Sequence, residues 1–462
     1  MASVDVEHYD LVIIGAGSGN TIINPEFDGW RIAIVEEGEF GGTCMNRGCI
    51  PTKMFVHTAD IVHAIEHVSR FGVDARVDAI RWRDIRDRVF DRIDPIAAAG
   101  EHYRKFDSPN VTVHAGHGRF VGARQLDVHT LSGTVRIEGR QVVIAAGARP
   151  MVPDVPGMAE SDYLTSDNIM RVDEVPERLI VVGGGYIACE LAHVFGSFGA
   201  QVTIVQRSGR LLMAEDHDIS AALTARFADR FDLRCGSTLT QVKRRGDIVE
   251  VTLTDGTVIE GSDILVATGR IPNSDTLNVA AGGIDTHPDG RIVTDLTQAT
   301  SVPGVWALGD ISSPYMLKHV ANHEARVVAH NLVHPDDLRR TDYRAVPHAV
   351  FTNPQIAGVG LTEHDARTHG IDVMVSSQHY GGIAFGWALE DTTSFCKLIA
   401  DRSTRRLVGA HIIGPHASSL VQQLVQGISH GSTIDEMATG QYYIHPALGE
   451  LVENALLGFD PA

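Results

Sequence analysis

Tyr9-Asp10-Leu11-Val12-Ile13-Ile14-Gly15-Ala16-Gly17-Ser18-Gly19-Asn20 decides the fold of this chain. An apolar, β-prone run enters a glycine turn with no residue between them. Gly15 permits the tight turn, and Gly17 lets a pyrophosphate approach backbone N–H groups at a helix start. A second strand, Arg31-Ile32-Ala33-Ile34-Val35, ends in Glu36, where a carboxylate would bind a ribose hydroxyl. Strand, glycine turn, short helix, strand and acid make a βαβ unit of dinucleotide type. Two residues depart from the pattern. Asn20 replaces the third Gly or Ala, and Pro25 shortens the helix that follows.

The same grammar returns further on. Leu179-Ile180-Val181-Val182 leads into Gly183-Gly184-Gly185-Tyr186-Ile187-Ala188, which satisfies G-x-G-x-x-A. The next strand, Gln201 to Val205, ends in Gln206 rather than an acid, and Arg207 and Arg210 follow. A carboxylate there would repel a 2′-phosphate, whereas arginines bind it, so this unit is predicted to take NADP(H). The alternative is that both arginines are solvated loop residues. Each half closes alike: Ala145-Ala146-Gly147-Ala148-Arg149-Pro150 in one, Ala267-Thr268-Gly269-Arg270-Ile271-Pro272 in the other. The chain therefore contains an internal duplication at long period.

Between the units, Cys49 to Phe71 reads as a helix, and Ile80 to Ile96 as a second, amphipathic one. Pro303 to Asp310 reads as a short strand ending in an acid. After about residue 345 the texture changes. Val350-Phe351-Thr352 and Lys397-Leu398-Ile399-Ala400 read as strands, and Leu420, Leu424 and Ile428 mark a helix. No low-complexity linker interrupts the chain, so its parts should pack tightly.

Composition agrees with a folded, multi-domain protein. The length of 462 residues suggests about three domains. With 44% hydrophobic and 21% charged residues, intrinsic disorder, collagen and a small disulfide scaffold are excluded. The formal charge of −19 repels nucleic acid phosphates and anionic membranes. No apolar run is long enough for a membrane span, and the acidic start, Met1 to Glu7, lacks the basic region of a signal peptide. A cytoplasmic location is the expectation.

Five cysteines, an odd and sparse set, do not form a secreted disulfide framework. Cys44 and Cys49 are the exception in spacing. Cys-x₄-Cys is not the usual zinc-ribbon spacing, and no second pair completes four ligands. Pro51 suits a first helical turn, which puts Cys49 near a helix N-terminus, where a thiolate is stabilised. A redox-active pair is the reading, with inert buried thiols as the alternative. Cys189 is read as a packing residue, and Cys235 and Cys396, in strand-like contexts, as having no redox role. His445, followed by Pro446, has Glu450 five residues on, a spacing that lets the carboxylate orient the ring. A helix-capping His is the bland alternative. His319 and His323 lie four apart on a predicted helix, but no third ligand is apparent, and no metal site is expected.

Gly41-Gly42-Thr43-Cys44-x₄-Cys49-x-Pro51-x-Lys53, both glycine turns, Ala307-Leu308-Gly309-Asp310 and His445-Pro446-x₃-Glu450 occur in that order across nearly the whole chain. In this the sequence resembles the flavoprotein disulfide reductases of the pyridine nucleotide family, which include glutathione reductase and dihydrolipoamide dehydrogenase. The segments Gly17 to Asn20, Ile50 to Val56, Met316 to Glu324 and Ile444 to Leu448 look like the branch that reduces the disulfide of mycothiol, a cysteine thiol carried on a glucosaminyl-inositol. Asn20 is then a trait of that branch.

The resemblance implies an α/β fold: two Rossmann-like dinucleotide-binding domains plus a C-terminal α+β dimerisation domain. It implies a discontinuous FAD-binding domain over 1–151 and 271–342, an NADPH-binding domain over 152–270, and a dimerisation domain over 343–462. FAD would meet Gly15, Gly17, Ser18, Glu36, Thr43, Lys53, Gly118, Gly147, Asp310 and Lys318. Of these, Asp310 would sit on the ribityl, Lys53 near flavin N5 and Lys318 near the pyrimidine end. NADPH would meet Gly183, Gly185, Tyr186, Ile187, Arg207, Arg210, Gly269 and Arg270, with Tyr186 gating the nicotinamide pocket. Glu190 matches the partner of Lys53. In a homodimer, His445 and Glu450 would reach the cysteines of the other subunit. Cys49 would face the flavin, Cys44 would attack the substrate disulfide, and His445 would carry the proton. Within the family, NAD-dependent dihydrolipoamide dehydrogenase and a glutathione-type reductase are the alternatives. A flavin-binding scaffold without catalysis is the alternative from another class, and the intact Cys44, Cys49, Lys53, His445 and Glu450 argue against it.

Overall fold

The computed structural model describes residues 5–460. Most of the acidic start (Met1 to Val4) and the last two residues, which are the outer limits of the expected first and last domains, lie outside the described residues. The first sheet is built from β1 (Val6–Ile14), β2 (Ile32–Glu36), β3 (Val111–Gly122), β4 (Gln125–Thr130), β5 (Gly133–Ile144) and the strand Val305–Ala307. β1 pairs in parallel with β2 on one side and β5 on the other, and Val305–Ala307 joins the far edge of β5. Leu11, Val12 and Ile13 are fully buried, because this strand is covered on both faces.

β1 does not lead into an α-helix. Two 3₁₀ turns, Gly19–Ile22 and Pro25–Phe27, take the place of the expected short helix. Pro25 has no N–H to continue a helical ladder, and Asn24 caps the second turn by accepting from Glu26 N at 2.8 Å. Then come α1 (Gly42–Asn46), α2 (Cys49–His67) and α3 (Trp82–His102).

The second unit is a parallel sheet in the order 263–266, 178–182, 201–206, 232–235, flanked by α4 (Tyr186–Ser197) and α5 (His217–Arg230). Antiparallel strands Ala148–Pro150 and Arg270–Pro272 pair where the chain leaves the first unit and returns. It re-enters through Val305–Ala307 and α6 (Lys318–Val333). The last part is an antiparallel sheet in the order 347–350, 356–360, 406–413, 395–401, 373–379, backed by the helices Ala417–His430 and Gly449–Leu457.

One apolar cluster joins all three parts. Phe55 of α2 and Trp82 of α3 stack at 5.3 Å, and they pack with Phe195 of α4, Leu223 of α5 and Ile356 and Ile413 of the last sheet. Among the described residues no helix is long and apolar enough to cross a membrane.

Candidate active site

Gly15 ends β1 at φ +101°, and a Cβ there would lie 2.4 Å from the Ala145 carbonyl oxygen, so no other residue fits. Glu36 closes the turn: its carboxylate accepts from Ala16 N at 2.6 Å and from Gly38 N at 2.8 Å. Each oxygen keeps a lone pair for a hydroxyl. Asn20, the departure from the glycine pattern, accepts from Arg104 Nε at 2.7 Å through its side chain and from Arg104 Nη2 at 3.2 Å through its carbonyl. The third position thus ties the turn to the segment after α3.

A cavity of about 680 Å³ opens over this turn. Gly15, Gly17, Ser18, Glu36, Thr43, Gly118 and Gly147 line it, and so do Lys53, Asp310 and Lys318 at one end. An anion-accepting turn, a ribose-side carboxylate and polar groups along a long cleft fit a dinucleotide. Lys318 donates to Ser18 Oγ at 2.8 Å and to Asn322 Oδ1 at 2.5 Å, and burial holds its ammonium below the usual lysine range. Burial pushes the Asp310 carboxyl up, opposed by Arg270, whose Nε lies 3.7 Å away.

The cysteine loop docks directly on the glycine turn. Gly41 N donates to Ala16 O at 3.1 Å, and a Cβ on Gly42 would lie 2.9 Å from Gly17 Cα. Gly41 and Gly42 both have positive φ, which lets the chain pass this close. α2 then begins at Cys49, with Pro51 in its first turn. Both thiols are free and line the cavity. Cys49 is held down at about 7, chiefly by a hydrogen bond from Cys44 and then, against burial, by the Lys53 ammonium. Cys44, the donor in that bond, is pushed well up from the ordinary thiol value by it and by burial.

Lys53 Nζ bonds both oxygens of Glu190, at 2.7 and 2.9 Å. Glu190 is buried in α4, and it also accepts from Phe351 N at 2.9 Å. This corrects the strand expected over Val350-Phe351-Thr352, which covers Pro347–Val350 instead. The Phe351 N–H goes to Glu190, so it does not extend the ladder. The Phe351 ring lies 4.8 Å from Lys53 Nζ, a cation–π contact. Phe351 is a site residue that sequence reasoning missed.

In the second unit Gly183 has φ +122°, and a Cβ there would lie 2.3 Å from the Ala267 carbonyl oxygen. Gly185 caps α4, whose first residues, Tyr186 and Ile187, line the same large cavity. Gly269, at φ +139°, accepts from Met151 N at 2.9 Å beside the chain crossover. Arg207 is exposed, while Arg210 donates to His217 Nε2 at 2.7 Å.

His445 Nδ1 lies 2.6 Å from Glu450 Oε1. This bond holds the Glu450 carboxyl below the usual carboxylate range. The His445 side chain is 72% exposed and follows exposed Tyr442 and Ile444, and neither His445 nor Glu450 lines the cavity that holds the cysteines of the same chain. Cys189 and Cys396 are fully buried, and burial pushes both thiols up. His319 Nε2 is engaged with Pro347 O at 2.8 Å.

A pyridine nucleotide-disulphide oxidoreductase model matches residues 9–325, and the dimerisation-domain model of the same family matches residues 346–456. The chain belongs to the pyridine nucleotide-disulphide oxidoreductases, flavoprotein enzymes that work with FAD and NAD(P)H. It is 50% identical over 460 residues to mycothione reductase from Mycobacterium tuberculosis, spanning 98% of this chain and 100% of that protein. Dihydrolipoyl dehydrogenase from Chlamydia muridarum is 32% identical, across 98% and 97% of the two chains. Among solved structures, the HOCl-induced flavoprotein disulfide reductase from Escherichia coli aligns with a TM-score of 0.85 at 27% identity, covering 97% of this chain and 99% of that one.

Proposed function

We propose that this chain reduces the disulfide of mycothiol to the free thiol with NADPH, as a cytoplasmic homodimer whose two active sites each draw on both subunits. The observation that carries the reading is the pair of free thiols lining one cavity, Cys44 of α1 and Cys49 at the start of α2, with Lys53 and buried Glu190 beside them. The 50% identity to mycothione reductase over the full length supports the substrate, against 32% for dihydrolipoyl dehydrogenase. Gln206 and Arg207 at the end of the second nucleotide strand support NADPH over NADH. The domain limits are 1–151 with 271–342 for FAD, 152–270 for NADPH and 343–462 for dimerisation.

FAD, held by Gly15, Gly17, Glu36, Lys53 and Asp310 around the cavity, would supply the relay of an electron pair from NADPH to sulfur. The chain's own residues do the rest. Cys49 holds a thiolate near neutral pH. Cys44 keeps its proton and needs a base before it can attack. His445, oriented by Glu450, is that base when the partner subunit brings it to the pair. Cys44 attacks one substrate sulfur, the first thiol leaves with the proton from the imidazolium, and a mixed disulfide remains. The Cys49 thiolate then attacks Cys44, the second product leaves as its thiolate and takes a proton from water, and the protein disulfide is restored.

Three measurements test this. Steady-state rates with mycothiol, glutathione and lipoamide disulfides should favour the first, and a glutathione preference would overturn the substrate. Cys44→Ser should retain FAD and lose disulfide turnover. Full activity in that variant would refute the role of Cys44. Arg207→Ala should raise KM for NADPH and leave that for NADH unchanged.

A further inference from the structure

Away from the cavity, the far end of α2 gathers a second set of chemically able side chains. His63, Glu66 and His67 stand at i, i+3 and i+4 and so share one helix face. One ligand atom from each lies within 4.8 Å of the others. The His63 and His67 rings lie 4.0 Å apart between centroids. His67 Nδ1 meets the His63 carbonyl at 2.8 Å, so Nδ1 carries the proton and Nε2 keeps its lone pair. His63 is half-buried, and its buried Nδ1 has no hydrogen-bond partner among the described residues.

The groups packed behind the trio are already engaged. His193 of α4 bonds Asp60 through Nε2 at 2.9 Å and accepts from Arg230 Nη1 through Nδ1 at 2.8 Å. Arg230 also donates to Ser197 Oγ at 2.7 Å. Arg230 and Arg70 lie near enough to His63 to act on it by charge. Arg230 and Arg70 oppose a cation here, while Glu66 supplies the compensating charge. Both Glu66 and His67 are exposed, and the Glu66 side chain is free to change rotamer. Tetrahedral ligands at zinc distances stand roughly 3.4 Å apart, a modest closure from the present spacing.

We propose that His63, Glu66 and His67 bind one divalent transition-metal ion of the borderline class, with water completing its coordination. Two imidazoles and a carboxylate select Zn²⁺, Ni²⁺ or Co²⁺ over Mg²⁺ and Ca²⁺. His63 follows Cys49 by 14 residues of helix, about 21 Å of rise, so the ion takes no part in thiol exchange.

The probe is Ni²⁺, titrated calorimetrically into the full FAD-loaded chain with the Cys44–Cys49 pair oxidised, so that neither thiolate competes. One ion per chain is expected. Glu66→Gln and His67→Ala should each weaken binding about tenfold or more, while His319→Ala leaves it unchanged. Both altered residues are exposed, and flavin absorbance and far-UV circular dichroism check that the variants fold. Cu²⁺ electron paramagnetic resonance should report two coordinated nitrogens in the wild type and one in His63→Ala. No stoichiometric Ni²⁺, or wild-type affinity in His67→Ala, overturns the site.

Discussion

Cys44 and Cys49 hold one proton unequally, and the inequality has a measurable sign. The charged form of a thiol is the deprotonated one. A folded value of about 7 at Cys49 therefore populates thiolate above that pH and loses it as pH falls through it. In reduced enzyme, the rate of Cys49 alkylation by iodoacetamide, followed by mass spectrometry, should drop on the acid side with a midpoint near the same pH. Lys53→Met removes the nearby ammonium and should move that midpoint upward. An unmoved midpoint would exclude Lys53 from thiolate stabilisation. At this scale, what is readable in sequence is what is local. Gly15, Gly17, Cys44, Cys49 and the His445–Glu450 spacing announce themselves over a few residues. Phe351 meets Glu190 across 161 positions, and Arg104 meets Asn20 across 84, and no periodicity encodes either contact.

The elements were legible where a strong period ran uninterrupted, as in α2 and α3. They were less so where a single backbone group was drawn elsewhere. The strand at Pro347 stops at Val350 because a carboxylate from another unit takes the next N–H. The segment after β1 winds as 3₁₀ turns because Pro25 cannot donate. Contacts between elements follow the same logic of satisfied polar groups. Lys397, on the strand Phe395–Asp401 and 3% exposed, bonds Asp216 at 2.9 Å, Asp218 at 2.7 Å and Glu363 at 2.8 Å. Asp216 caps α5, so this lysine rivets the second nucleotide unit to the last sheet. Lys397→Met would leave the Asp216 carboxylate, 1% exposed, buried without its cation. Breaking such a pair on one side should cost about 3–5 kcal/mol, read by chemical denaturation. Adding Asp216→Asn should recover part of that loss.

The whole molecule places a histidine–carboxylate pair on its exposed C-terminal face and its reactive thiols in a cavity they do not share. That separation gives the proposal of a two-subunit site a decisive test. Cys44→Ser and His445→Ala homodimers should each be inactive. Unfolded together and refolded, they should form mixed dimers with one intact site, recovering about a quarter of wild-type activity. No recovery would place the full catalytic set within one chain. The apolar cluster shared by α2, α4, α5 and the last sheet ties the three parts into one body, so none of them is expected to melt alone. The close approach of Gly42 to Gly17 bears on how such proteins can be recombined. A Cβ on Gly42 collides with the backbone of the first glycine turn, and that on Gly17 would already touch Gly42. A chimera that imports the cysteine loop of a relative must therefore import a matching turn as well, and the two stretches are inherited, or engineered, as a single cassette.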